Sequence, residues 1–209
     1  MSLVRTFGAS IAASALAGLV SVSPVAAQTF DRPLELSGEV ATLRLSEFKI
    51  TSVGTAVNVA WHVAPALAVD GALIWFPGGW QSGTGTLASQ ERLLGLLGVN
   101  TGLPLGPVEL RWRARAGFLN FGDEGPIACP AIFPPTLECQ LAPGYMAFAT
   151  DLGGGVNIRL DYAGRTRLRV DAGDLLVRYG VNALRPRGQI TDGFVSHNLL
   201  MSAGLGLRF

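Results

Sequence analysis

The chain has 209 residues, with 16 lysines and arginines against 15 acidic side chains and a formal net charge of +1. That balance offers no basic field to nucleic acid, which is excluded as a partner. Two cysteines and two histidines, with no C-x-x-C spacing and no histidine near the cysteines, give no basis for a metal or other cofactor.

From the amino terminus, Arg5 is followed by an apolar or small stretch from Phe7 to Val20, and Val25-Ala26-Ala27 then forms a small-residue cleavage site. The run is short for a helix that spans a bilayer. Residues 1–27 are therefore read as a cleaved signal peptide and 28–209 as one domain. With Arg5 removed, basic and acidic side chains balance. Lys49 is the only lysine, and the other cations are arginines, whose planar fork suits ion pairs held inside a structure.

The rest of the chain alternates with period two. In 34 to 44, Leu34, Leu36, Gly38, Val40 and Thr42 oppose Glu35, Ser37, Glu39 and Ala41. In 55 to 63, Val57, Val59, Trp61 and Val63 oppose Ala56, Asn58, Ala60 and His62. Ala64-Pro65 turns the chain into 66 to 76, where Leu67, Val69, Leu73 and Trp75 oppose Ala68, Asp70, Ala72 and Ile74. The segment 91 to 103 is apolar on both faces and admits a short helix. Gly95 and Gly98 weaken a helix, and Leu93, Leu97 and Val99 keep the strand period. In 108 to 121, Leu110, Trp112, Ala114, Ala116 and Phe118 oppose Glu109, Arg111, Arg113 and Arg115. The segment 146 to 160 sets Phe148, Leu152, Val156 and Ile158 against Asp151, Gly153, Gly155, Asn157 and Arg159. In 165 to 177, Arg165, Arg167, Arg169 and Asp171 oppose Leu168, Val170 and Ala172. In 197 to 209, Leu199, Met201, Ala203, Leu205, Leu207 and Phe209 oppose Ser202, Gly204, Gly206 and Arg208.

These segments predict an all-β, eight-stranded antiparallel up-and-down transmembrane barrel. The connections after the second, fourth and sixth segments are short. Those after the first, third, fifth and seventh are expected to run to roughly ten residues or more, as the loops of one rim of a membrane barrel do. The longest, 122 to 145, carries five prolines and both cysteines. Cys129 and Cys139 read as a local disulfide of an exported protein.

A secreted lipocalin-like carrier would turn the apolar face inward. A membrane barrel turns it outward, because arginine on the lipid face costs ~2–4 kcal/mol at the midplane. The second arrangement encloses a lumen charge network of Glu39, Asp70, Glu109, Arg111, Arg113, Arg115, Asp151, Arg159, Arg165, Arg167, Arg169 and Asp171, with Gly153, Gly155, Gly204 and Gly206 read mainly as room for long arginines. Aromatic belts are expected at the two interfaces. Trp61, Trp112, Tyr162 and Phe209 form one, and Trp75, Phe76, Phe118, Phe121, Tyr145 and Phe148 the other. Arg178, Arg185 and Arg187 in the fourth loop are candidates for lipopolysaccharide phosphates. Eight strands leave an interior that side chains fill, so the lumen is expected to be plugged, with a narrow pore as the alternative.

An export signal, eight alternating strands and the ending "LMSAGLGLRF" resemble the small outer-membrane β-barrel proteins of Gram-negative bacteria, the OmpA-type transmembrane and opacity-type group. The resemblance implies outer-membrane localisation, contact with lipid and lipopolysaccharide, and a structural or recognition role in which the loops meet a surface or host ligand. It also implies an assembly signal in Phe209, Leu207, Leu205, Ala203 and Met201, read by the barrel-assembly machinery. No periplasmic peptidoglycan-binding domain is recognised, so no cell-wall tether is expected. The group's lipid A deacylases carry an H-x-S pattern on a lipid-facing strand. Here Ser196 and His197 are adjacent and fall on opposite faces, so no catalytic residue and no enzyme activity is expected.

Overall fold

Period-two alternation closes into a barrel in a computed structural model that describes residues 33–78, 91–122, 145–180 and 193–209, with the backbone of short segments at 81–82, 127–128, 138–141 and 184–186. The eight long strands are β1 (Leu34–Leu45), β2 (Ile50–Ala64), β3 (Leu67–Phe76), β4 (Arg92–Leu105), β5 (Val108–Phe121), β6 (Met146–Arg159), β7 (Thr166–Tyr179) and β8 (Phe194–Arg208). Each is antiparallel to the next, and β1 pairs with both β2 and β8, so the sheet closes as an up-and-down barrel. No helix occurs among the described residues. The expected signal peptide, 1–27, and Cys129 lie outside them, and Cys139 is described by its backbone alone.

The register fixes the tilt. Around the outward face, Arg44, Leu199, Asp174, Leu152, Ala114, Val99, Val69 and Trp61 are successive cross-strand partners and lead back to β1 at Leu34. The circuit returns ten residues along β1 from where it began, between Arg44 and Leu34. A stagger of this kind requires strands inclined by ~35–45° to the barrel axis.

At one rim the connections are short, at 65–66, 106–107 and 160–165. Gly106 and Gly164 hold φ of 67° and 64° there, a backbone region that favours glycine. At the other rim the first connection corrects the sequence reading. It spans only 46–49, because β2 begins at Ile50 instead of 55. Ile50 and Ser52 continue the inward set, so the alternation runs on into the turn that Lys49 closes at φ 52°. The backbones of two longer connections meet, since Glu138–Leu141 pairs with both Ile127–Ala128 and Leu184–Pro186.

The apolar face points out. Val40, Val57, Leu73, Leu97, Leu103, Leu152 and Leu205 are all exposed, Leu97 at 66%. Trp61, Trp112, Tyr162 and Phe209 are exposed towards the short-turn rim, and Trp75, Phe118 and Phe148 towards the loop rim. Phe118 and Phe148 are direct cross-strand partners in edge-to-face contact. Phe76 and Phe121, expected in that belt, are instead fully buried, and Tyr145 packs partly buried against them. Parity is the reason: Phe76 alternates with outward Trp75, and Phe121 lies an odd number of residues from outward Phe118.

Inside, two layers divide the lumen. The half towards the short turns is charged. The loop half is sealed by Leu43, Leu45, Phe76, Leu94, Leu119, Phe121, Leu175, Val177, Tyr179 and Leu200, with Phe48, Tyr145 and Phe194 packed on top. Tyr179 stacks on Phe194 with ring centroids 4.7 Å apart. This cap explains why 91 to 103 reads as apolar on both faces: Leu94 and Leu96 enter the cap while Leu93 and Leu97 face out.

Gly98 stands between Asp70 and Arg115 on the inward face. A Cβ there would meet the Ala114 carbonyl oxygen at 2.1 Å, whereas one on outward Gly38 would meet nothing within 4 Å. Gly98→Ala should therefore destabilise the barrel by ~1–3 kcal/mol, seen as a lower urea midpoint in lipid vesicles. Gly38→Ala should stay within ~0.5 kcal/mol of the parent.

Candidate functional site

Inward positions of β5, β6 and β7 bring the arginine ladders against carboxylates. Asp151 accepts from Arg113 Nε at 2.7 Å and from Arg115 Nη2 at 2.7 Å. Arg113 Nη1 lies 3.1 Å from Asp171 Oδ1, and Asp171 accepts from Arg169 Nε. Arg169 Nε is 3.2 Å from Glu39, which also accepts from Ser37 and Ser202 at 2.9 and 2.6 Å. Nearer the short-turn rim, Arg167 donates to Glu109 at 2.7 Å. Asp70 lies between Arg115 and Arg169 at 3.8 and 3.9 Å, and Glu35 between Arg111 and Arg167 at 3.9 and 3.8 Å.

Five arginines thus face six carboxylates in this layer, so neither sign dominates and the layer offers no selective path to an ion of either charge. Taken out of water, each charge is costly alone and tolerable only with its partners.

Two expected members fall elsewhere. Arg159 and Arg165 are exposed at the short-turn rim, because β6 ends at Arg159 and β7 begins after Arg165. Glu35 joins the layer instead. It shares parity with Glu39, which is the signal that would have found it. The lumen glycines also serve differently from the expectation. A Cβ at Gly155 would meet Asp171 Oδ1 at 2.1 Å, and one at Gly204 would meet Glu39 Cγ at 2.7 Å. A Cβ at Gly204 would also meet the Gly38 carbonyl oxygen at 2.1 Å, and one at Gly153 the Ala172 carbonyl oxygen at 2.5 Å, so these glycines make room for the neighbouring backbone as well as for carboxylates.

A second group of polar side chains lies outside. His197 Nδ1 donates to Asp174 Oδ2 at 2.7 Å on the outward face, and both are exposed, at 73% and 46%. Asp174 stands on the face that also presents Val170 and Ala172, out of phase with the lumen carboxylates. That displaced parity was legible in the sequence and was missed there. Ser196 faces inward, buried, and its hydroxyl accepts from Asn198 Nδ2 at 2.8 Å. The hydroxyl and the imidazole of neighbouring residues are therefore on opposite sides of the barrel wall.

Beside the pair lies an open groove of about 530 Å³, lined by Leu152, Gly153, Ala172, Gly173, Asp174, His197, Asn198 and Leu199. Gly153 faces Gly173, and Gly154 faces Ala172, across β6 and β7, so small residues thin the wall there. Arg178, expected in a loop, is on β7, outward and exposed. Arg187 lies outside the described residues, and Arg185 is described by backbone alone. At the seam, Phe209 N–H donates to Leu34 O at 2.8 Å, and Met201, Leu205, Leu207 and Phe209 face out.

No protein-family model matches the chain, and no curated protein matches it. Solved structures do. Neisserial surface protein A (NspA) is 10% identical, with 84% of this chain and 96% of that one covered and a TM-score of 0.51. The outer membrane protein OprG from Pseudomonas aeruginosa is 12% identical over 84% and 95%, with a TM-score of 0.48. The outer membrane enzyme PagL is 13% identical over 80% and 97%, with a TM-score of 0.39. At such identities the likeness to NspA establishes a shared fold, and function has to be argued from side chains.

Removing the Asp151 carboxylate leaves Arg113 and Arg115 buried without their shared acceptor. Asp151→Ala should cost ~3–5 kcal/mol of barrel stability, while Arg159→Ala at the exposed rim should change it by less than ~0.5 kcal/mol. Equilibrium unfolding of both variants in vesicles measures the difference.

Proposed function

We propose that the chain is a small outer-membrane β-barrel protein of a Gram-negative envelope, exported by its amino-terminal signal, with a structural or recognition role at its long-loop rim. The observation that carries this reading is inside-out burial: paired charges fill the interior, and an apolar girdle bounded by aromatic rings covers the exterior, broken on β7 and β8 by Asp174 and His197. Contiguous apolar surfaces on that scale are foreign to soluble monomers, and they match the hydrocarbon layer that such barrels cross. A lipocalin-like carrier needs the opposite orientation.

The lumen does not serve transport in this reading. Beneath the rim the cap, apolar except for buried Arg92, which donates to Ser52 Oγ and lies over the Phe121 ring, obstructs hydrated ions, and below it the arginines and carboxylates neutralise one another. The barrel is then an anchor, and ligands meet the connections above it. The backbone sheet shared by the segments near 127, 139 and 185 supports a recognition surface in which two connections act together. A Cys129–Cys139 disulfide would stiffen that surface further.

Phe209 and the outward residues before it serve in this proposal as the address for the assembly machinery as well as the closing seam. Deleting Phe209 should lower the amount of folded protein in the outer-membrane fraction several-fold, while total synthesis in a pulse label stays the same.

Full-length protein should fractionate with outer membranes and migrate differently on gels before and after heating. In planar bilayers it should give no resolved conductance steps. The double variant Phe121→Ala/Tyr179→Ala, which removes two neighbouring rings of the cap, should produce small steps. Appreciable conductance of the parent protein would overturn the closed lumen.

A further inference from the structure

The outward surface of β7 and β8 carries polar groups that the lumen network does not use. From the loop rim downward, β7 presents Arg178, Leu176 and Asp174, and β8 presents Val195, His197 and Leu199. Arg178 lies opposite Val195, just above His197, and Arg44 of β1 lies opposite Leu199, just below it. Arg44 and Arg178 are both exposed. Two exposed arginines therefore occupy register positions on either side of one carboxylate-held imidazole, on strands whose other outward residues are apolar or threonine. Ionisable groups on a lipid-facing surface are unfavourable unless something pairs with them, which marks them as a site.

The chemistry of an occupant follows from these parts. Asp174 engages Nδ1 of His197, which fixes the ring and leaves Nε2 as its remaining polar atom. Arginine forks suit phosphate oxygens, and two arginines against one carboxylate favour an anion. Directly below, the groove walled by Leu152, Ala172 and Leu199 is apolar and open to the side, as an acyl chain requires.

We propose that Arg44, His197 and Arg178, with Asp174 as the positioning residue for the imidazole, bind the phosphate of a lipid in the surrounding leaflet, whose acyl chain lies in the groove between β6, β7 and β8. His197 presents Nε2 to the phosphate while Asp174 holds Nδ1. The hydroxyl of neighbouring Ser196 faces the lumen and is not part of this site. The site rests on the reading of this outward face as the membrane face.

Native mass spectrometry of the full-length folded barrel in nonionic detergent tests the site, with three probes: diphosphoryl lipid A, the same lipid dephosphorylated, and inorganic phosphate. Diphosphoryl lipid should be retained. His197→Ala/Arg178→Ala should weaken retention about tenfold, the loss expected for a charge-assisted hydrogen bond. Arg165→Ala at the opposite rim should not change it. The heat-dependent gel shift reports folding of each variant.

In the parent protein the ¹⁵N resonance of His197 Nε2 should move on addition of the phosphorylated lipid and stay put with the dephosphorylated one. Equal retention of both lipids, an unmoved Nε2 resonance, or inorganic phosphate competing away no lipid even at large excess while binding elsewhere would overturn the site. A chain that fails to enter membranes at all sinks the membrane reading. One that enters them and ignores the phosphate sinks only this proposal.

Discussion

Pairing of β1 with β8 is the constraint on which the rest of the molecule depends. Once the first and last strands hydrogen-bond, the sheet has no edge, and the ladder satisfies the backbone polar groups of the strands without help from solvent. Every strand side chain then has only two destinations, the lumen or the outside. A shift of one residue in any strand would exchange those destinations for all of its side chains. The ten-residue stagger around the outward row sets which residues of different strands meet. It is why Arg115, Asp151 and Asp70 come together although they lie far apart in the chain.

Within that frame the lumen solves an electrostatic problem in two layers. Charges enclosed in protein interact strongly, but the gain repays their desolvation only if the geometry is good and every group has a partner. Asp151 accepting from Arg113 and Arg115, and Asp171 bridging Arg113 to Arg169, supply that compensation for these groups. Lumen glycines permit it by letting neighbouring backbones approach and, at Gly155 and Gly204, by leaving room beside Asp171 and Glu39. Above this layer the aromatic and aliphatic cap lets the charged half stay enclosed.

The outward face obeys the same parity rule with the opposite chemistry, and its exceptions are therefore informative. Most outward positions are Leu, Val, Ala, Gly or aromatic. Asp174 and His197 break that pattern together, on neighbouring strands and in hydrogen-bond contact, with arginines above and below. A lone polar residue on this face would be a local cost. A bonded pair beside a groove thinned by Gly153 and Gly173 has the form of a site.

The sequence by itself determined the strands, their number and the division of their side chains into two faces, because the side-chain period is a local property of each segment and the dense arginine ladders of β5 and β7 set one face apart from the other. It also carried, unread, the parity that sends Phe76 and Phe121 inward and Asp174 outward, while Glu35 shares the face of Glu39 but stood outside the expected charge network. The start of β2 was less legible, since "ITSVG" offers small and β-branched residues on both faces and little contrast between them. What only the tertiary structure decided was which partners meet: Asp151 with Arg113 and Arg115, Asp174 with His197, and the cap rings with one another. Those contacts depend on register and stagger, which sum hydrogen-bond choices over the whole closed sheet and leave no trace in any one segment.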